Sequence, residues 1–223
     1  MCFSATACFT AGAILVPTGV YTVVKAYRGD KRYLALAAFP LLFGLQQIIE
    51  GWLWLAFEQQ VDSSIEIAAL GFLLFAYFLW PFFVPLSALL VEKNDGRRTL
   101  FKLFSFIGFL FGASLYVPLL INPDWLSVTM AKGSILYQPV LIYDGIVSRT
   151  VVRVFYAIII AVPLLFSTVT SLRFFGILIF VSVAISAVFF AYAFVSIWCF
   201  FAAILSAYIV YIIHKETSTK PLI

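Results

Sequence analysis

The amino-acid sequence predicts an all-α polytopic membrane protein, a bundle of seven transmembrane helices that forms one domain over residues 1–223. Of the 223 residues, 64% are hydrophobic and 11% are charged, whereas about 25% are charged in an ordinary soluble protein. The apolar residues stand in long runs, and a run of roughly 20 is enough to cross a bilayer. Residues 1–24 carry no charged side chain, so we expect the first run to be a retained span and not a secretory signal.

The predicted spans follow one another along the chain, with polar or turn-forming segments between them. Residues 174–213 contain no charge and no proline. A single helix of about 40 residues would far exceed the bilayer thickness, so this stretch is divided near residue 194. Trp80-Pro81 predicts a bend in the third span, because proline removes a backbone donor. The seven spans are 7–27, 33–57, 66–91, 100–121, 151–170, 173–193 and 195–213.

The positions of the basic residues predict how the bundle is oriented. Most of the 14 Lys and Arg residues lie in the first, third and fifth connections or in the C-terminal tail. Such residues favour the cytoplasmic side, so we expect the N-terminus outside and the C-terminus in the cytoplasm. This distribution explains the net charge of +4 without nucleic acid as a partner. The basic residues on the other side are Lys132, Arg149 and Arg153.

These three residues lie on or beside the long outer loop, at about residues 122–150. Asn122-Pro123-Asp124 predicts a turn, and Trp125, Tyr137 and Tyr143 suit the membrane interface as aromatic anchors. Two interpretations stay open for this loop. It is either a cap over the outer mouth of the bundle or a partly ordered connection.

One carboxylate, Glu50, stands inside the second span, where no other charge occurs between residues 34 and 57. An ionised carboxylate at that depth costs at least ~2.5 kcal/mol, so it is normally paired, protonated or exposed to a polar cavity. Gln46 and Gln47 precede it by one helical turn, so the three side chains share one face of the helix. This face is the candidate ligand- or proton-binding site.

The predicted topology places Glu50 roughly 10 Å below the outer boundary of the membrane. Trp198 and Cys199 of the seventh span, together with Ser196, fall at a comparable depth, so we add Trp198 and Cys199 to the candidate site. Three hypotheses compete for Glu50. It ties helices together by hydrogen bonds, handles a proton or cation in a water-filled cavity, or serves as a catalytic or metal-binding carboxylate.

The cysteines and the single histidine limit the kinds of metal, catalytic and cofactor sites that this sequence can form. Cys2 and Cys8 flank the outer start of the first span, where either a disulfide or free thiols are consistent with the sequence. The cysteine spacing matches no standard zinc pattern, so we predict no metal site, and the sequence identifies no cofactor. His214 alone does not supply the histidine cluster of ceramidase-type and adiponectin-receptor-type hydrolases. Residues 195–213 contain no lysine for a retinal Schiff base.

Several motifs are spread over nearly the whole chain. Residues 1–7 read MCFSATA, 39–51 read FPLLFGLQQIIEG, 80–86 read WPFFVPL, and 196–203 read SIWCFFAA, with Glu92 and Arg97-Arg98 between them. Together they resemble a family of small bacterial multi-pass membrane proteins that begin MCFSATAS and have no established activity, and this resemblance implies a bacterial inner membrane. Members of that family tend to carry a histidine in the long outer loop. This chain reads GSILY at residues 133–137, so the resemblance implies no metal site there.

We expect this protein to bind or transport a small solute or ion through the outer-leaflet polar pocket around Glu50. Glu50 would bind a cation or exchange a proton, and Gln46 and Gln47 would orient the ligand. One alternative is an intramembrane lipid-modifying enzyme that uses Glu50 with Cys2 or Cys199, and another is a non-catalytic sensor or assembly subunit. The expected partners are the bilayer and a small solute, ion or lipid. The substrate and the oligomeric state are not predicted.

Overall fold

The computed structural model describes residues 4–131, 133–189 and 191–218, and most of them are helical. A π-helical turn covers Leu74–Leu79, and short 3-10 turns cover Lys31–Tyr33, Pro123–Trp125 and Ala191–Ala193. The helices are α1 (Ala5–Arg28), α2 (Leu34–Ala37), α3 (Phe39–Gln59), α4 (Asp62–Leu73), α5 (Trp80–Val91), α6 (Asp95–Ile121), α7 (Arg149–Leu165), α8 (Thr170–Phe189), α9 (Phe194–Ser206) and α10 (Tyr208–Ser218). The strands are β1 (Leu126–Ala131) and β2 (Ser134–Pro139).

Within the described residues, six helical stretches are long and apolar enough to cross a membrane. They correspond to six of the seven predicted spans. Several such helices in one chain indicate a multi-pass membrane protein. The predicted span 151–170 corresponds to α7, whose 17 residues are fewer than the roughly 20 that a span usually needs. The total of seven spans and their orientation therefore stay predictions. The six stretches are Ala5–Arg28, Lys31–Gln59, Asp62–Val91, Asp95–Ile121, Thr170–Phe189 and Phe194–Thr217.

The third predicted span is irregular where its proline lies. The π-helical turn Leu74–Leu79 comes directly before Trp80 and Pro81. Proline offers no N–H to the carbonyls of the preceding turn, and a π turn is a common local response to such a break in the ladder. The Tyr156 hydroxyl of α7 donates a hydrogen bond to the Ala76 carbonyl in this turn. The irregular backbone is thereby tied to the neighbouring helix.

Two glycines let α6 approach the irregular turn closely. A Cβ on Gly108 would lie 1.9 Å from the Pro81 carbonyl oxygen. A Cβ on Gly112 would lie 2.9 Å from the carbonyl oxygens of Tyr77 and Phe78. Because the glycines are four residues apart, they lie on one face of α6, as in close helix contacts of membrane proteins.

The prediction of an all-α fold was incomplete, because the long loop contains an antiparallel β-hairpin. Its register runs from the Leu126–Pro139 pair to the Ala131–Ser134 pair. Ile135 is fully buried, and the Tyr137 ring stacks on Phe72 of α4 with the ring centroids 4.8 Å apart. The hairpin therefore covers one end of the bundle, called the hairpin end below. This arrangement agrees with the cap interpretation of the loop.

At the opposite end, a buried carboxylate ties two connections together. Glu92 follows α5 and accepts hydrogen bonds from the Lys93 and Asn94 backbone N–H groups. It also accepts hydrogen bonds from Ser167 and Thr168, which connect α7 to α8. Burial opposes the ionisation of Glu92, but the hydrogen bonds from Thr168 and the backbone lower its pKa to about 2. Glu92 is therefore ionised at neutral pH.

Candidate functional site

Glu50 lies on the face of α3 that is turned into the bundle, towards the hairpin end. Gln46, Gln47 and Glu50 are each 0% exposed. The Ser196 hydroxyl of α9 donates a hydrogen bond to Glu50 Oε1 over 2.6 Å, and the Gln47 side chain interacts with the same carboxyl. Glu50 Oε2 has no hydrogen bond of ordinary geometry within the described part of the chain. The carboxyl thus links α3 to α9 and leaves one oxygen for a further partner.

Gln46 connects this polar layer to α5 and to the cysteine of α9. Trp80 Nε1 donates a hydrogen bond to Gln46 Oε1 over 2.9 Å. The Gln46 side chain also interacts with the Cys199 thiol. The structure therefore brings the predicted residues of α3 and α9 together. Gln46 lies beside Cys199, and Glu50 accepts a hydrogen bond from Ser196.

A cavity of about 80 Å³ lies beside this layer. The predicted site residues Trp198 and Cys199 form part of its wall, whereas Gln46, Gln47 and Glu50 do not line it. One water needs about 10–15 Å³ of such space, so the cavity has room for several waters or one small solute. The wall also contains Tyr77 of the π turn, Tyr137 of the hairpin, and Arg149, Arg153 and Tyr156 of α7.

A smaller apolar hollow, of about 30 Å³, also borders Trp198. It shares Tyr156, Trp198 and Cys199 with the cavity. Aromatic rings such as those of Phe39 and Phe175 form much of the remaining wall. The segment of α9 around Trp198 therefore borders both the cavity and the apolar hollow.

Two buried hydrogen-bond donors in the cavity wall have no partner in the described residues. They are the Tyr137 hydroxyl and Trp198 Nε1. Burial raises the pKa of Tyr137 well above its ordinary value, so its hydroxyl keeps its proton and acts as a donor. A buried donor without a partner costs about 1–3 kcal/mol. Both residues line the cavity, so each has an unused donor beside it.

Two arginines bring positive charge to the mouth of the cavity. Arg149 and Arg153 are exposed to solvent and also line the cavity, which therefore reaches the protein surface. Arg149 forms an ion pair with Asp144 at 2.8 Å. A hydrogen bond from the Leu141 N–H, together with this ion pair, lowers the pKa of Asp144. Asp144 thus offsets part of the positive charge.

Sequence reasoning missed both arginines as candidate site residues, because it used them only to orient the bundle. The available signal is their spacing. Arg149, Arg153 and Tyr156 follow one another by four and three residues, which places them on one face of a helix. This spacing, beside a polar loop, predicts that the two arginines and the tyrosine line the same surface of a site.

One protein-family model matches residues 1–222 of the chain. The chain belongs to DUF6629, a family of unknown function. This result confirms the expectation of an uncharacterised family, while the motifs attributed to it and its bacterial origin stay predictions. No curated protein and no solved structure matches the chain. The function of this DUF6629 protein is therefore argued from the site itself.

The cysteines of this DUF6629 chain differ in state. Cys8 is buried and disulfide-bonded, whereas Cys199 is a buried free thiol. Cys2, the other cysteine at the outer start of the first span, lies outside the described residues. His214 lies at the end opposite the hairpin, beside Lys25. The described residues contain no group of three or more His, Cys, Asp or Glu that could hold a metal ion.

Proposed function

We propose that this membrane protein binds or transports a small solute through the cavity beside the Glu50 layer. The proposal rests on buried polar atoms that have no hydrogen bond of ordinary geometry in the described residues and that belong to the cavity wall or to the adjoining Glu50 layer. They are Glu50 Oε2, Trp198 Nε1 and the Tyr137 hydroxyl. Native proteins leave few buried polar groups unsatisfied, and an unsatisfied group often marks a missing water or ligand.

Glu50 would act on the cavity through α9, because it does not line the cavity itself. Its partner Ser196 lies on the helical segment that carries Trp198 and Cys199. A proton gained or lost at Glu50 would change the Ser196 hydrogen bond and so the position of this wall. We therefore assign proton exchange to Glu50. Gln46 would stabilise the cavity wall through its contact with Cys199, and Gln47 would stabilise the Glu50 carboxyl.

An intramembrane enzyme is the weaker alternative. A cysteine nucleophile needs an adjacent general base or a lowered pKa. No hydrogen bond between described residues joins the Glu50 carboxyl to the Cys199 thiol, and the Gln46 amide that interacts with this thiol is not a base. No particular contact favours a sensor or assembly role.

Access of water to Cys199 tests the cavity directly. Protein in phosphatidylcholine vesicles is treated with water-soluble charged methanethiosulfonates, and labels are counted by intact-protein mass spectrometry. We expect one label that is lost in Cys199→Ser. The matched control adds Ala203→Cys to Cys199→Ser, because Ala203 is 0% exposed and lies one helical turn further along α9. If Cys199 reacts no faster than this control thiol, the cavity does not admit solutes and the proposal fails.

Proton exchange at Glu50 has a separate spectroscopic test. Infrared difference spectra between acidic and alkaline buffers should contain the carbonyl band of a protonated carboxyl. This band should disappear in Glu50→Gln, which keeps the shape of the side chain and removes its titration. The exposed carboxylate of Glu58 provides the control, since Glu58→Gln should leave the band in place. A band that survives in Glu50→Gln would remove Glu50 from the proposal.

A further inference from the structure

The positive charge at the cavity mouth indicates which chemical class of ligand the cavity binds. Arg149 is bonded to Asp144 and also donates to the Pro139 carbonyl over 2.8 Å. Arg153 has no ion-pair partner in the described residues, and its guanidinium lies 5.1 Å from the centroid of the Phe194 ring. Since the described lining of the cavity contains no Asp or Glu, one positive charge stays uncompensated there.

The interior of the cavity adds donors to this positive charge. The Tyr137 hydroxyl and Trp198 Nε1 are buried donors without a partner in the described residues. An indole N–H donates only, and Trp198 is 8% exposed. Charged groups form the stronger hydrogen bonds, so two arginines and two neutral donors suit the oxygens of a carboxylate or phosphate.

The apolar hollow shares wall residues with the cavity, and no charged side chain of the described residues lines it. Its wall is made of aromatic and aliphatic side chains, including Phe39, Leu164 and Phe175. Cys199 and Tyr156 border both spaces. A ligand that reaches both spaces therefore contacts the arginines in the cavity and an apolar surface in the hollow.

We propose that the cavity selects anionic amphiphiles, whose carboxylate or phosphate headgroup binds between Arg149, Arg153 and the Trp198 N–H. The near end of the apolar tail lies against the hollow lined by Phe39 and Phe175. This proposal rests on the proposed function, namely that the cavity binds a solute, and it names the chemical class of that solute.

Charge selection is tested at Cys199 with two thiosulfonates of similar size, one carrying a sulfonate and one a trimethylammonium group. In neutral phosphatidylcholine vesicles we expect the sulfonate reagent to react at least five-fold faster relative to its rate with a small free thiol. Arg153→Gln should reduce this preference to about two-fold or less. Arg97→Gln is the matched control, because Arg97 is equally exposed but lies at the opposite end of the bundle. Thermal melts check that each variant is folded.

Ligand class is tested by protection of Cys199 from a small neutral thiosulfonate. Dodecanoate and dodecyl phosphate should slow the labelling several-fold in the wild type and much less in Arg153→Gln, whereas dodecyltrimethylammonium should not slow it. Acetate and inorganic phosphate at the same concentrations should have little effect. Equal protection by these small anions would overturn the proposal of an amphiphilic ligand and indicate a site for free anions.

The outcomes separate this inference from the proposed function. If Cys199 is labelled, but without charge preference and without protection by dodecanoate or dodecyl phosphate, the cavity admits solutes and the anionic amphiphile is wrong. If Cys199 is not labelled by any reagent, the proposed function itself fails.

Discussion

At the scale of single residues, the Ser196–Glu50 hydrogen bond is the contact that holds the candidate site together. Ser196→Ala would leave Glu50 Oε1 without the donor on α9, and an unsatisfied buried group costs about 1–3 kcal/mol. Ser206 of the same helix is also fully buried, but its hydroxyl donates to the Ala203 carbonyl one turn earlier. Thermal melts in detergent should therefore show a larger loss of stability for Ser196→Ala than for Ser206→Ala. Equal losses would mean that the Glu50 contact contributes little.

The same residues show how far the sequence predicts the site. Glu50 was identifiable because one carboxylate in an apolar span must find a partner. Depth along the helices also placed Trp198 and Cys199 in the same layer, and the structure puts them in one cavity wall. The role of Arg153 was missed although its spacing from Arg149 and Tyr156 indicates a shared helix face, because an exposed arginine at a helix start serves membrane orientation equally well. Tertiary contacts, such as that between its guanidinium and the Phe194 ring of α9, bring it to the cavity.

At the scale of elements, the contact between α5 and α6 depends on a glycine. Gly108→Ala would place a methyl group 1.9 Å from the Pro81 carbonyl oxygen, so the helices would have to separate. We expect this variant to lose at least ~2 kcal/mol of stability, since backbone atoms cannot move aside as a side chain can.

The control for this substitution lies in the same helix. Gly96→Ala would meet only Asn94 Oδ1, at 3.4 Å, and should be neutral or stabilise by about 0.4–1 kcal/mol. Melting temperatures in detergent compare the two variants. Similar melting temperatures would show that α5 and α6 do not need the close approach.

The tie between the α5–α6 and α7–α8 connections predicts a pH dependence of stability. Glu92 keeps a pKa of about 2 in the folded protein, whereas an unfolded glutamate titrates near pH ~4.3. The depressed pKa stabilises the fold fully above about pH 5, and this contribution is lost as the pH falls towards about 2. Glu92→Gln should therefore lower stability by ~2 kcal/mol at neutral pH.

The difference between Glu92→Gln and the wild type should shrink as the pH falls from about 5 to about 2. Glu58→Gln, which changes an exposed carboxylate of α3, should show little difference at any pH. Melting curves recorded across this pH range provide the measurement. A pH-independent loss in Glu92→Gln would mean that packing, and not the ionised carboxylate, holds the two connections.

The hairpin is the element that the sequence did not predict. Residues 126–139 read LSVTMAKGSILYQP, in which polar and apolar residues alternate only in part. Their strand structure depends on tertiary contacts, since Ile135 is buried and Tyr137 stacks on Phe72 of α4. Long apolar helices are predictable because every backbone group must be satisfied inside a bilayer. A short hairpin outside the bilayer has no such constraint.

At the scale of the whole molecule, the contacts assign the ends of α7 to opposite ends of the bundle. Arg149, at its start, is bonded to Asp144 beside the hairpin. Ser167, just beyond its end, donates to Glu92 at the opposite end. A helix of 17 residues is about 25 Å long, which is slightly less than the ~30 Å hydrocarbon core. We therefore expect α7 to cross the membrane as the predicted span 151–170, which brings the total to seven, with Arg149 reaching to the interface.

Labelling from one side of the membrane tests both the number of spans and their orientation. Each of three exposed positions is replaced in Cys199→Ser protein by a cysteine: Ser127→Cys in the hairpin, Thr99→Cys in α6 and Thr170→Cys at the start of α8. In intact cells, an impermeant maleimide should label Ser127→Cys, because the positive-inside rule places the hairpin outside. Thr99→Cys and Thr170→Cys should be labelled only after permeabilisation. Label on Thr170→Cys in intact cells would mean that α7 does not cross, because Thr170 would then share the hairpin side of the membrane.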